Sequence, residues 1–251
     1  MPTASGPRGA AVVTGAGGMM GGAIARLLVD RYNLVLNDRR DSLGPLVEEL
    51  SGPGVELAPV VADVGRPEGA AAAVDAALER WGRVDVLVNV AGGIKGPIDN
   101  PVWSITDDQW SRVLQVNLSS AFYCIRRAAG PMMEQRSGKI VSIASTSWAG
   151  SPAHAHYAAA KAGLVALTRS VAEQLGPYNV NVNAVAPGGT LTLAAGIAGF
   201  PAVDDWRDRN PLGRPNAPED IAHTVAFLLS EQARNISGQL VTVAGGVNPS
   251  L

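Results

Sequence analysis

Ala11-Val12-Val13-Thr14-Gly15-Ala16-Gly17-Gly18-Met19-Met20-Gly21-Gly22-Ala23-Ile24-Ala25 is the stretch on which the fold turns. A β-branched apolar run leads into it, glycines fill its middle, and small apolar residues leave it at helical spacing, so a strand passes through a tight turn into a helix. In such a turn the free N–H groups at the helix start face outward and favour an anion, above all a diphosphate. The next apolar run, Asn33-Leu34-Val35-Leu36-Asn37-Asp38, ends in a carboxylate about twenty residues after the glycines, where it can accept hydrogen bonds from the ribose hydroxyls of an adenosine. That carboxylate repels a 2′-phosphate, whereas Arg39 and Arg40 attract one, so NAD is the expected cofactor and NADP the alternative.

Outward from this turn the chain alternates short apolar runs with longer alanine-rich amphipathic ones, the pattern of repeated βα units around a parallel sheet. Strands are expected at 10–14, 33–37, 56–61, 84–89, 138–144, 179–185 and 239–243, and helices near 20–31, 42–51, 67–80, 106–134, 156–176 and 218–230. Ser42, Thr106 and Ser119 read as N-caps, and Pro-Glu pairs at 67–68 and 218–219 open two further helices. The fold class is therefore α/β, a Rossmann-type doubly wound parallel sheet of about seven strands with helices on both faces. Two connections are long, 92–105 and 189–217, and both follow a strand, where ligands of open α/β sheets bind. No linker, low-complexity tract or repeat divides the chain, so residues 1–251 read as one domain with a short flexible lead at 1–8.

Composition narrows the class of partner. The 251 residues carry a net charge of -2, which gives no reason for attraction to nucleic acid or anionic lipid. A lone Cys124 forms neither an internal disulfide nor a thiolate metal cage. No basic-then-apolar leader opens the sequence and no run is long and apolar enough for a bilayer, so a cytoplasmic protein is expected.

A second stretch bears on chemistry. Tyr157 and Lys161 stand four apart in the helix-forming run Tyr157-Ala158-Ala159-Ala160-Lys161, on one face and about one turn apart, so both reach one ligand. A free tyrosine has a pKa of about 10, and an ammonium beside it supplies the sign needed to bring it toward neutrality for acid–base work.

Taken together, these residues resemble the short-chain dehydrogenase/reductase family from residue 10 to about 247. Thr14-Gly15 with Gly21 is similar to the family's TGxxxGxG turn, Asp63-Val64 to its adenine-contacting pair, and Asn89-Val90-Ala91-Gly92 to its NNAG segment. Asn117, Ser145, Tyr157-Ala158-Ala159-Ala160-Lys161, and Pro187-Gly188 with Thr192 follow in the family's order. Three positions depart from it. Met19 stands where the family has a glycine, so its side chain must turn away from the pyrophosphate while Gly17 and Gly18 compensate. Val90 replaces the second asparagine. The usual serine position, thirteen before the tyrosine, is Ala144, so Ser145 is assigned instead, with Ser147 as the fallback.

The resemblance implies a mechanism. Ser145 polarises the substrate oxygen, Tyr157 gives or takes the proton, Lys161 holds the nicotinamide ribose and favours tyrosinate, and Asn117 holds a water linking Lys161 to solvent; the alternative for Asn117 is a side chain bonded to its own helix. Gly15, Ala16, Gly17, Gly18, Met19, Met20 and Gly21 would line the pyrophosphate, with Asp38, Arg39, Asp63 and Val64 at the adenosine. Asn89, Ala91 and Gly92 would lie below the cofactor, and Pro187, Gly188, Thr190 and Thr192 at the carboxamide. Ile94, Lys95, Ser147, Trp148, His154, Gly189 and Leu193 are candidates for the substrate wall, or pack loops only. His154 and His156 read as loop histidines rather than as a metal pair, for want of a third ligand. The expected activity is an NAD(H)-preferring oxidoreductase that interconverts a secondary alcohol and a ketone. The alternatives are an NADPH-dependent 3-oxoacyl thioester reductase and a non-catalytic cofactor-binding regulator. The final segment at 238–246 and the helix at 218–230 resemble the parts that pack family members into homotetramers.

Overall fold

A computed structural model describes residues 8–94, 99–191 and 210–247. Seven strands form one sheet: β1 (Gly9–Thr14), β2 (Tyr32–Asp38), β3 (Leu57–Val61), β4 (Val86–Asn89), β5 (Gly138–Ile143), β6 (Val180–Pro187) and β7 (Leu240–Val243). Their order is β3-β2-β1-β4-β5-β6-β7, and every pairing is parallel. The helices are α1 (Met19–Leu28), α2 (Gly44–Leu50), α3 (Pro67–Trp81), α4 (Asp107–Leu114), α5 (Ser120–Gln135), α6 (Ala155–Leu175) and α7 (Pro218–Leu228). The chain runs outward in one direction from β1 and then in the other from β4, so a crevice opens between the carboxyl ends of these two strands.

Strand alternation builds two cores. Ala11, Val13, Leu34, Leu36, Val86, Val88 and Val185 point to the face covered by α1, α2 and α7. Ala10, Val12, Val35, Leu87, Ile140 and Val182 point to the opposite face, covered by α3, α5 and the far end of α6. Burial on both faces explains the continuous apolar runs of β1, β2 and β4.

The expected elements are all present, with three local differences. Thr106 caps α4 as expected, in a capping box with Gln109. Ser42 does not cap α2, whose N-cap is Leu43, and Ser119 makes no cap bond because it lies inside continuous helix. The stretch at 106–134, which reads as one helix, contains a π-helical segment from Gln115 to Ser119 between α4 and α5. An inserted residue of this kind rotates a side chain out of the ordinary helical register and often marks a functional position. Here it carries Asn117.

Candidate active site

The turn after β1 is built by exclusion. Gly15 has φ +66°, the left-handed region, and a Cβ there would stand 2.9 Å from the Ala91 amide nitrogen. Gly21 lies so close to the Gly15 carbonyl oxygen that no side chain fits between them, and a Cβ would be 2.8 Å from the Ala16 Cα. Gly18 is the extended N-cap of α1 and offers no side chain to cap it. The first-turn amides of Met19, Met20 and Gly21 therefore face outward without helical acceptors, the donor set a diphosphate takes. Met19 is half-exposed, starts α1 and needs no glycine-only conformation. It lines a cleft of about 350 Å³ with Gly22 and Arg26, on the face of α1 that looks toward α2 and α7. Ala16 is buried behind the turn.

Asp38 ends β2 beside that turn: its Oδ2 lies 3.0 Å from the place a Gly17 Cβ would take, and its Oδ1 accepts from the Arg40 amide at 3.2 Å. Arg39 and Arg40 are exposed next to it. Asp63 closes a turn by accepting from the Gly65 amide at 2.9 Å, and Val64 is buried. At the end of β4, Asn89 donates to the Ser142 hydroxyl at 3.1 Å, because the two residues are register partners on neighbouring strands. Thr14 accepts from the amides of Val90 and Ala91 at 3.1 and 3.2 Å, so it ties the loop after β4 to the phosphate turn. Thr14 was legible as the first residue of the turn motif, but its partners stand more than seventy residues away in sequence and leave no local signal.

The catalytic candidates gather where β5 ends and α6 begins. Tyr157 is 8 % exposed, and the Ser145 side chain acts on its hydroxyl in the direction that favours the ionised form. Ser145 follows β5 and also accepts from the Ser147 amide at 3.2 Å. Lys161 is buried, donates to the Ile143 carbonyl at 2.7 Å, and holds its Nζ 5.6 Å from the centre of the Tyr157 ring. Asn117 accepts from the Gly93 amide at 2.8 Å and donates to the carbonyls of Gly93 and Val113 at 3.1 and 3.0 Å. Only the last of these bonds is to its own helix, so the side chain serves mainly as a clamp on the loop after β4. Gly92 completes the junction: a Cβ there would be 2.8 Å from Asn117 Oδ1 and 3.4 Å from Lys161 Nζ.

Ionisation differs from the sequence expectation. Burial pushes the Tyr157 phenol up to about 12, only partly offset by the Ser145 side chain, and pushes the Lys161 ammonium down to about 7. Desolvation is the larger cause at both groups, disfavouring the charged form of the phenol and of the amine alike.

Among the remaining candidates, Pro187 ends β6, the Gly188 amide donates to Val243 at 2.8 Å, and the Gly189 carbonyl accepts from Asn216 at 2.9 Å. Thr190 donates to the Gly188 carbonyl at 3.0 Å. Ile94 is exposed near the mouth. Trp148 is half-buried and packs against the cluster of Ala144, Val165, Ala184 and Ala186. His154 is buried before α6, with Nδ1 3.4 Å from the Ser151 hydroxyl, and His156 is no loop residue: it lies in the first turn of α6, 1 % exposed, and burial lowers its pKa. Lys95, Thr192 and Leu193 lie outside the described residues.

Residues 15–248 match the family described as enoyl-(acyl carrier protein) reductase. A 3-oxoacyl-[acyl-carrier-protein] reductase FabG from Staphylococcus epidermidis is 36% identical over 241 residues, covering 94% of this chain and 98% of that protein. Among solved structures, levodione reductase superposes with a TM-score of 0.86 at 32% identity, covering 95% of this chain and 96% of that one. NAD+-bound xylitol dehydrogenase superposes with a TM-score of 0.85 at 29% identity, covering 95% and 98%.

Proposed function

Since the chain belongs to the short-chain dehydrogenase/reductase family of nicotinamide-dependent oxidoreductases, we propose that it reduces a 3-oxoacyl thioester to the 3-hydroxyacyl thioester. The observation that carries the chemistry is the convergence of Ser145, Tyr157 and Lys161 beside the glycine turn. The full-length match to the staphylococcal 3-oxoacyl reductase favours this substrate class over the simple ketone that the sequence put first.

The outward-facing amides of α1 and the ribose-facing Asp38 fit a nicotinamide dinucleotide, which when bound supplies the hydride. The protein's own part is proton movement and orientation. With its pKa raised, Tyr157 is a neutral phenol at physiological pH and gives its proton to the carbonyl oxygen as negative charge develops there. The Ser145 hydroxyl donates a second hydrogen bond to the same oxygen. Lys161, held by the Ile143 carbonyl with its Nζ 5.6 Å from the centre of the ring, stabilises the phenolate left behind. Asn117 fixes the loop at Gly93 so that the floor of the crevice keeps its shape.

The 3-oxoacyl reductase reading brings NADPH with it, and exposed Arg39 and Arg40 supply cations for a 2′-phosphate. A second reading, NADH, is favoured by the Asp38 carboxylate against Gly17 and by the likeness to NAD+-bound xylitol dehydrogenase. Initial rates with NADPH and NADH against 3-oxoacyl thioesters and plain cyclic ketones test the proposal. Thioesters are expected to give the higher kcat/KM, and a plain ketone outperforming them overturns the substrate class. Binding of cofactor with no turnover on any substrate would leave a regulator. In the same reading the chain is a cytosolic homotetramer assembled through α7 and β7; a monomer in light scattering contradicts that.

A further inference from the structure

Ser42 is unexplained by anything above. It was expected to cap α2 and does not. Instead it is exposed, and its Oγ stands 2.5 Å from the place a Gly17 Cβ would occupy, while Asp38 Oδ2 stands 3.0 Å from that same place. The hydroxyl therefore leans over the phosphate turn beside the Asp38 carboxylate. The sequence leading to it is Asp38-Arg39-Arg40-Asp41-Ser42, with both arginines exposed. Two guanidinium groups three and two residues before an accessible hydroxyl form a recognition pattern for a kinase with an acidic peptide groove.

We propose that Ser42 is a phosphorylation site whose occupation closes the enzyme to its dinucleotide. The inference rests on the cofactor reading of the glycine turn. In the modification the Ser42 Oγ attacks the γ-phosphorus of ATP, the bond from that phosphorus to ADP breaks, and the hydroxyl proton passes to the kinase's base. The product carries close to two negative charges and three strong acceptor oxygens. Placed at Gly17, they stand beside Asp38, take up the electropositive end of α1, and repel the diphosphate that the turn otherwise attracts. Because two anions compete for one set of amides, bound dinucleotide must in turn slow the modification.

The test uses the whole purified enzyme. Binding of NADH and NADPH to the unmodified protein is measured first by fluorescence; failure there sinks the cofactor reading itself, separately from the role of Ser42. The protein is then treated with magnesium ATP and the catalytic domain of an arginine-directed serine kinase, and the modified residue is found by mass spectrometry. Phosphate on Ser42, slower labelling with dinucleotide present, and at least about tenfold weaker cofactor binding are expected. Ser42→Glu and Ser42→Gln, nearly equal in size, separate charge from bulk: the first should reproduce the loss and the second should bind within about twofold of wild type. Labelling confined to other residues, unchanged affinity of the phosphorylated form, or equal losses in the two variants would overturn the proposal.

Discussion

The turn after β1 and the start of α6 meet at one crevice but work in opposite ways. At the turn the main chain binds and side chains are kept out, so the controlling quantity is space: Gly15 and Gly21 leave no room for a Cβ. Along α6 the side chains do the work, and the controlling quantity is desolvation: a buried phenol is raised to about 12, and a buried amine 5.6 Å from the centre of its ring is lowered to about 7. The first region should be damaged by adding atoms, the second by removing them.

The largest effect is expected at α6. Tyr157→Phe removes one oxygen and should lower turnover by roughly 10² to 10⁴-fold, the range of a positioned proton donor, while cofactor affinity stays within about twofold. Stopped-flow hydride transfer and cofactor titration check the two halves; near-normal turnover would show that the phenol is not the donor. Gly21→Ala is the complementary insult. The added methyl has no space against the Gly15 carbonyl, so a loss of about 1–3 kcal/mol in stability and weakened cofactor binding are expected, read by chemical denaturation and titration. Unchanged stability would mean that the turn yields more readily than its packing implies.

The same division explains what could be read from the sequence. Glycines constrained by space leave a fixed local spacing, and the two-sided burial of β1, β2 and β4 leaves continuous apolar runs, so the sheet and the turn were legible. Tyr157 and Lys161 were legible as a helical pair, yet the direction of their ionisation was not, because it depends on the burial that tertiary packing imposes. Asn117 was found by its place in the family's order, whereas its clamp on Gly93 was hidden: a π-helical segment has no sequence signature, and its partner lies 24 residues back. The packing of Trp148 against the cluster of Ala144, Ala184 and Ala186 was likewise hidden, because those residues come together only through the β5–β6 pairing.

A pH experiment sharpens the desolvation half. Lys161 binds its proton less tightly in the folded chain, at about 7, than at the unfolded value of 10.5. Between these values the unfolded chain holds a proton that the folded chain has released. This group therefore makes stability rise with pH through that window, by at most about 1.4 kcal/mol per pH unit, and the penalty is fully present below about 7. Tyr157 acts oppositely, holding its proton in the folded chain from 10.0 up to about 12, so its burial costs stability only above about 10. Denaturant midpoints of ligand-free enzyme between pH 7 and 9.5 isolate the lysine. Lys161→Met should flatten the rise, and an unchanged slope would show that the amine is solvated.

Met19 gives the smallest expected effect and tests the steric half at its least orthodox residue. Glycine is expected there from the family's turn, so a side chain would be thought to obstruct the diphosphate. In the structure Met19 opens α1 in ordinary helical conformation and shares a face with Gly22 and Arg26, toward the cleft bounded by Pro45 and Leu46 of α2 and Pro218 of α7. It needs no glycine-only conformation there, and its exposed thioether borders an open cleft that it shares with Gly17 and Gly18. Met19→Gly should therefore shift cofactor affinity by less than about threefold and cost no more than about 1 kcal/mol, since glycine in a helix loses that much at most. A tenfold gain in affinity would mean that the thioether does crowd the turn, and the contrast between a main-chain region that tolerates outward side chains and a side-chain region that tolerates no deletion would have to be redrawn at this residue.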